Sequence, residues 1–181
     1  MLGELPLEAV VSSLNTIEPR GGEGTSAFSH SGISGGFTRL AIQGVSGQFM
    51  QPLLQGSKML LYNGEIYNQE FQGSDGPQLL RMISEHGVNG LRQLHGEFAG
   101  VVHDFLTGVT IVFRDATGVR PLFFGRNSFG TLSFASEAKA LAPLCTRIRQ
   151  FLPNTAWIIR HQRVVQSHVI VRNLYASTPA V

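Results

Sequence analysis

A chain of 181 residues with 43% hydrophobic content and a formal net charge of +2 is long enough to bury one core, and this balance excludes a disordered or strongly polyionic protein. Charged residues make up only 14% and glycines number 21, so many tight turns are expected, on a charge-poor surface suited to contacts with other proteins. The basic residues are scattered along the chain, which gives no nucleic-acid signature.

In chain order, Leu7-Glu8-Ala9-Val10-Val11-Ser12-Ser13-Leu14 carries apolar residues at helical spacing and is bounded by Pro19, which predicts one short helix. Pro6, just ahead of it, would interrupt the hydrogen bonds of a central strand. From Ser26 to Val45, Phe28, Ile33, Phe37, Leu40 and Ile42 interleave with Ser, Thr and Gly, a pattern of two short strands around a Gly-rich turn, with Arg39 in the second. Lys58-Met59-Leu60-Leu61-Tyr62 reads as a strand that halts at Asn63-Gly64, a strong turn signal because both residues tolerate positive φ. An amide exposed at such a bend, beside an Asn side chain, can receive negative charge developing on oxygen. Ser74-Asp75 then opens a helix that runs through Gln78 to His86 and is closed by Gly87. Asp75 suits the positive end of that helix dipole.

After a short helical piece around Leu91 to Leu94, strands are predicted at Phe98 to Asp104, Val109 to Arg114, Leu122 to Gly125 and Thr131 to Ser136, forming a β-meander. Arg114-Asp115 and Arg120-Pro121 fall at turn ends, where side chains commonly tie loops by hydrogen bonds. Ser136 is placed as the cap of a short helix through Leu141 that ends at Pro143, and Ala156 to Ile159 with Val164 to Val171 form a terminal hairpin around His161-Gln162-Arg163. The six histidines lack metal-ligand spacing and no strand-to-helix phosphate loop occurs, so neither a metal nor a nucleotide cofactor is expected. No apolar run approaches the ~18 residues of a membrane span. Met1-Leu2-Gly3-Glu4 lacks the basic start of a signal peptide, and Cys145, the one cysteine, cannot form an internal disulfide, so a soluble cytoplasmic protein is expected.

Asn63-Gly64-Glu65-Ile66-Tyr67-Asn68 stands in a longer series. Before it come Arg20-Gly21-Gly22-Glu23-Gly24, Arg39-Leu40-Ala41-Ile42, and Gly47-Gln48 with Gln51-Pro52. After it come Ser74-Asp75, Gly96-Glu97-Phe98-Ala99, Arg114-Asp115-Ala116-Thr117-Gly118-Val119-Arg120-Pro121-Leu122, and Phe134-Ala135-Ser136-Glu137-Ala138-Lys139-Ala140-Leu141. In this order the motifs resemble the glutamine-hydrolysing domain of asparagine synthetases, a branch of the class II glutamine amidotransferases. The resemblance implies an α+β fold, the αββα sandwich of two mainly antiparallel sheets found in N-terminal nucleophile hydrolases. It also implies a single domain over 1–181, with no room for the synthetase domain that consumes the released ammonia. By the same resemblance Asn63 and Gly64 match the oxyanion pair, Arg39 forks onto the α-carboxylate of glutamine, and Glu65 and Asp75 lie beside its α-ammonium.

The departures from the family pattern bear on chemistry. The family opens Met-Cys-Gly-Ile, and its freed N-terminal Cys attacks the glutamine amide with its own α-amine as base. Here Leu2 replaces that Cys, Glu4 replaces an apolar residue, and Phe37-Thr38 stands where a His usually precedes the Arg. An isobutyl group has no lone pair, and an initiator Met is expected to stay on before it. The first inner strand is expected to be shortened, displaced or lost. Cys145, in an apolar setting, reads as a buried structural thiol. The expected function is that of a catalytically inactive amidotransferase-like protein acting through a protein partner or in a self-assembly. Alternatives are a domain that senses glutamine or a related amino acid without hydrolysis, and a glutaminase subunit with an unusual nucleophile such as Ser12 or Ser13.

Overall fold

The computed structural model of the protein describes residues 5–21, 24–39, 50–68 and 75–171. Helix α1 (Leu7–Asn15) starts after Pro6, whose carbonyl accepts the N–H groups of Ala9 and Val10. Its periodicity buries Val10, Ser13 and Leu14 on one side and leaves Leu7 and Val11 on the other. Leu5 and Pro6 form no strand; Leu5 instead donates its N–H to Ser34 Oγ at 3.0 Å and accepts the Ser34 hydroxyl at its carbonyl at 3.1 Å. The rest of the expected first inner strand, positions 1–4 with Leu2, lies outside the described residues.

Strands β1 (Thr25–His30) and β2 (Ile33–Thr38) form an antiparallel hairpin whose turn, Ser31-Gly32, has φ of 48° and 76°. Two successive positive φ values match the right-handed twist of a hairpin, which explains the small residues there. Gly36 of β2 is required by packing: a Cβ on it would lie 2.4 Å from Leu14 Cδ1 and 2.6 Å from the Ser26 carbonyl oxygen, so α1 rests directly on the backbone of β2.

The largest sheet has six antiparallel strands in the order β11-β10-β6-β5-β4-β3, from β3 (Leu53–Gln55), β4 (Lys58–Ile66), β5 (Gly96–Asp104), β6 (Val109–Arg114), β10 (Thr155–Arg160) and β11 (Arg163–Val169). A second set, β8-β7-β9, joins β7 (Phe123–Arg126), β8 (Leu132–Ala135) and β9 (Arg147–Gln150). The expected single meander is therefore split, because the chain leaves the six-stranded sheet after β6 and pairs β7 with β8 elsewhere. Strand β9 had no counterpart among the expected elements; Arg147 and Arg149 give it no apolar signature.

Alternation along the six-stranded sheet supplies two cores. Leu60, Phe98, Val102, Phe113 and Ala156 face helix α2 (Asp75–His86) and the 3-10 segment Gly87–Gln93, which contribute Leu79, Leu80, Ile83, Val88 and Leu91. Their neighbours Met59, Ala99, Val112 and Ile159 face the opposite way, onto Ile33, Leu122, Leu132 and Phe151. Each fully buried aliphatic side chain contributes roughly 1.5–3 kcal/mol over its exposed state, far more than helix propensity does. On the outer side, Val10, Leu14 and Ile17 pack with Ala140 of α3 (Ala138–Leu141) and with Ala27 and Ala135. The layers thus run helix, sheet, sheet, helix: the αββα sandwich. Ser136 does not cap α3; Glu137 is its N-cap residue without a side-chain cap. Its carboxylate is bound by Arg20 at 2.9 Å and Lys139 at 3.0 Å, and the hydrogen bond from Arg20 leads in holding it below the usual carboxylate range. Among the described residues no helix is long and apolar enough to cross a membrane.

Candidate functional site

The centre of the site is a strand, where the dipeptide Asn63-Gly64 predicted a turn. β4 runs straight through both residues to Ile66, with Asn63 opposite Ala99, Gly64 opposite Phe98 and Glu65 opposite Glu97 on β5. Gly64 holds φ 148°, and a Cβ on it would sit 2.1 Å from the Glu97 carbonyl oxygen and 2.6 Å from Phe98 Cα. The conformation that suggested a bend is used for close approach of two backbones.

Asn63 carries the site's most telling atom. Its Nδ2 is buried and has no hydrogen-bond partner among the described residues. The residue before it is clamped: Gln51, itself buried, donates Nε2 to the Tyr62 carbonyl at 2.9 Å and accepts the Tyr62 N–H at Oε1 at 2.7 Å. Gln51 is thereby a positioning residue to which its motif position had lent no role.

A carboxylate cluster follows on the same strand. Burial raises the pKa of Glu65, Asp75 and Glu97 raise it further, and Arg120 acts in the opposite sense. Arg120, expected only to tie a turn end, is ion-paired at 2.6 Å to Glu97, which the sequence had left without a role, so the β6–β7 connection and β5 each add a charged group to the site. Asp75, at the first turn of α2, accepts the Ile66 N–H at 2.8 Å and so pins the helix to the end of β4. Asn63, Gly64, Glu65 and Asp75 are thus neighbours on one strand end and one helix start.

Arg39 comes from another sheet. It lies one residue beyond β2, where the strand had been expected to include it, and it is buried, with 8% of its surface exposed. Its N–H bonds the Gly24 carbonyl at 2.8 Å, and Gly21 packs so close that a Cβ there would be 2.6 Å from the Arg39 backbone. The hairpin joins β4 through Ser26, whose hydroxyl donates to the Gln51 carbonyl.

Arg114 and Asp115 behave as loop ties. Arg114 donates to the carbonyls of Arg120, Gly118 and Phe151, while Asp115 accepts the N–H groups of Phe98, Thr117 and Gly118. Cys145 lies elsewhere: it packs on Gly125, whose Cβ would point to it, whereas Phe124 next door faces Trp157 of the six-stranded sheet. Burial raises its thiol pKa, as suits a structural thiol.

A family model described as a glutamine amidotransferase domain matches residues 3–179. Asparagine synthetase B (glutamine-hydrolyzing) of Escherichia coli (strain K12) is 37% identical over 56% of this chain and 21% of that protein. A probable asparagine synthetase (glutamine-hydrolyzing) of Acanthamoeba polyphaga mimivirus is 36% identical over 80% of this chain and 30% of that protein. The chain belongs to the glutamine amidotransferase domain family, class II, of the asparagine synthetase type. This amidotransferase-type domain therefore spans less than a third of each of these two relatives. Among solved structures it resembles the glutamine phosphoribosylpyrophosphate amidotransferase from B. subtilis complexed with ADP and GMP, at a TM-score of 0.74 and 20% identity, covering 94% of this chain and 48% of that one. The structure of the allosteric regulatory enzyme of purine biosynthesis matches with a TM-score of 0.73, also at 20% identity, over 93% of this chain and 47% of that one. At that identity the likeness shows the shared fold.

Proposed function

We propose that the amidotransferase-type domain holds glutamine, or a close relative with a side-chain amide, without hydrolysing it: a catalytically inactive member that acts by binding. The observation carrying this reading is the buried Nδ2 of Asn63, which has no partner among the described residues. An unpaired buried donor costs about 1–3 kcal/mol, and the carbonyl oxygen of a bound side-chain amide removes that cost. Glu65 and Asp75 supply negative charge for an α-ammonium, and the buried Arg39 supplies the cation for an α-carboxylate.

Loss of hydrolysis is supported by Leu2, a hydrocarbon at the position where the family pattern has its nucleophile. Cys145 is a poor substitute, because burial raises its thiol pKa and it lies on the far side of β7. Ser13 lies inside α1 and donates its hydroxyl to the Ala140 carbonyl, so its use as a nucleophile demands that the helix be undone. In this reading the domain works in the cytoplasm, the compartment that a lone thiol suits.

The test is calorimetric titration of the intact chain with glutamine, glutamate and asparagine, run beside an ammonia assay. Heat with glutamine, weakened about tenfold in Asn63→Ala, and no ammonia are the expected results. Sustained ammonia release, or no heat at about 1 mM glutamine, overturns the reading.

A further inference from the structure

Linear order disguises a concentration of charge. From Ala138 onward the sequence contains Lys139, Arg147, Arg149, Arg160, Arg163 and Arg172 and no aspartate or glutamate. In the fold, Arg126 of β7 stands directly opposite Arg147 of β9, and Arg160 of β10 stands directly opposite Arg163 of β11. The two pairs meet: the Arg126 guanidinium donates to the Gln162 carbonyl at 2.6 Å, and Gln162 sits in the turn between Arg160 and Arg163. That turn is held by the Leu132 N–H, which donates to Gln162 Oε1 at 2.9 Å. All four arginines are exposed, and none takes part in an ion pair found among the described residues. The preceding carboxylate in the sequence, Glu137, is already bound by Arg20 and Lys139. Like charges placed directly opposite across strands oppose pairing, so this corner gains from an anion.

Strand β11 leads out of the arginine corner as the edge of the six-stranded sheet, so that among the described residues one row of its backbone N–H and C=O groups has no strand beside it. All of its residues except His168 are exposed, Val164, Val165 and Val169 among them. It carries neither the lysine nor the proline that commonly guards an edge. A bulge at Val165, between the pairings Val164↔Ile159 and Gln166↔Ile158, restricts straight pairing to a short segment.

We infer that this corner is a docking site for a short, extended, acidic segment of a partner protein, added as a strand beside β11. Its carboxylates lie on the guanidinium forks of Arg160, Arg163 and their neighbours, and its small apolar side chains lie against Val164 and Val169. Charge selects this occupant. All 12 acidic residues lie at or before Glu137, so the remainder of the molecule is net negative and the whole carries only +2. A nucleic acid running beyond the corner meets that acidic remainder and gains no long-range attraction, whereas a short peptide stays within the arginines. The face is separate from the proposed glutamine site, with β10, β6 and β5 between β11 and β4.

The test is fluorescence anisotropy of a labelled alternating Glu-Val peptide titrated with the full chain, with hydrogen exchange read on the same complex. Binding that weakens as salt rises to about 0.15 M is expected, together with slowed exchange of the Val164 to Val169 amides. Affinity falls about tenfold or more in the R160E/R163E double variant, and it falls in the R160Q/R163Q variant with an unchanged melting temperature, which separates lost docking from lost folding. No anisotropy change, undiminished binding by R160Q/R163Q, tighter binding of a single-stranded oligonucleotide of equal charge, or dimerisation of the chain through β11 overturns the inference.

Discussion

The Gln51 side chain grips Tyr62 from both ends of its amide, donating to the Tyr62 carbonyl at 2.9 Å and accepting its N–H at 2.7 Å. Pairing of β3 with β4 stops at Leu53↔Leu60, so Gln51 takes the place of a strand for the residue just before Asn63. Gln51→Leu strips partners from two backbone groups, for an expected loss of about 2–4 kcal/mol. Urea unfolding measures it, and an unchanged midpoint refutes the clamp.

Gly64→Ala should be far worse than the ordinary penalty of about 1 kcal/mol for placing alanine at a glycine conformation. The added carbon meets the Glu97 carbonyl oxygen at 2.1 Å, so β4 and β5 must part at the centre of the six-stranded sheet. Gly108→Ala is the control: it also has positive φ, but nothing lies within 4 Å of the new atom. Thermal melts of the two variants should differ widely, with Gly64→Ala recovered poorly or unfolded.

Asp75 has two roles that one substitution separates. Asp75→Asn keeps an oxygen to accept the Ile66 N–H but loses the charge. Stability should change little, while the Glu65 pKa moves down because one of the carboxylates raising it is gone. In the glutamine-binding reading, affinity also drops about tenfold. NMR titration of the Glu65 carboxyl and calorimetry check the two effects independently.

His103 is buried against Phe105, at 4.8 Å between ring centroids, and its Nδ1 lies 2.8 Å from Thr110 Oγ1. Burial lowers its pKa below 6.5, with Asp104 opposing. The unfolded chain therefore binds a proton more readily, so the stability from this residue is complete above about pH 6.5 and is lost as pH falls below it. Melting temperature should decline from pH 7 to 5 in the native chain and decline less in His103→Gln. Glu137, whose pKa is lowered from 4.5, acts in a more acidic window.

Arg114 satisfies three carbonyls with one guanidinium: Arg120 at 2.8 Å, Phe151 at 2.6 Å and Gly118 at 2.6 Å. It fastens the crossing from β6 to β7 against the end of β9. Arg114→Leu should cost about 3–5 kcal/mol, and Arg114→Lys less, because an ammonium reaches fewer of the three. Guanidinium unfolding of both variants gives the order.

Local signals served well where the structure is local. The helical spacing of α1, the start of α2 at Asp75, a Gly-rich turn between β1 and β2 and the hairpin around His161-Gln162-Arg163 follow from a handful of adjacent residues, and the structure fixes the two turns at Ser31-Gly32 and His161-Gln162. Asn63-Gly64 misled because its tolerance of positive φ serves a turn and a close backbone approach equally, and the choice lies with Glu97 and Phe98 on another strand. The split of the meander was invisible for a similar reason: alternation tells which face of β7 is apolar, not which sheet it joins.

Motif order and periodicity were sufficient to name the family, to list most of the elements, and to single out Arg39, Asn63, Gly64, Glu65 and Asp75. The tertiary arrangement supplied their surroundings, Gln51 on Tyr62, Arg120 on Glu97 and an Asn63 Nδ2 without a partner among the described residues, and on a separate face it gathered four arginines from four strands. Periodicity is a property of neighbours in the chain. The charge, burial and hydrogen bonds felt by a side chain come instead from segments tens of residues away, which packing alone brings within reach.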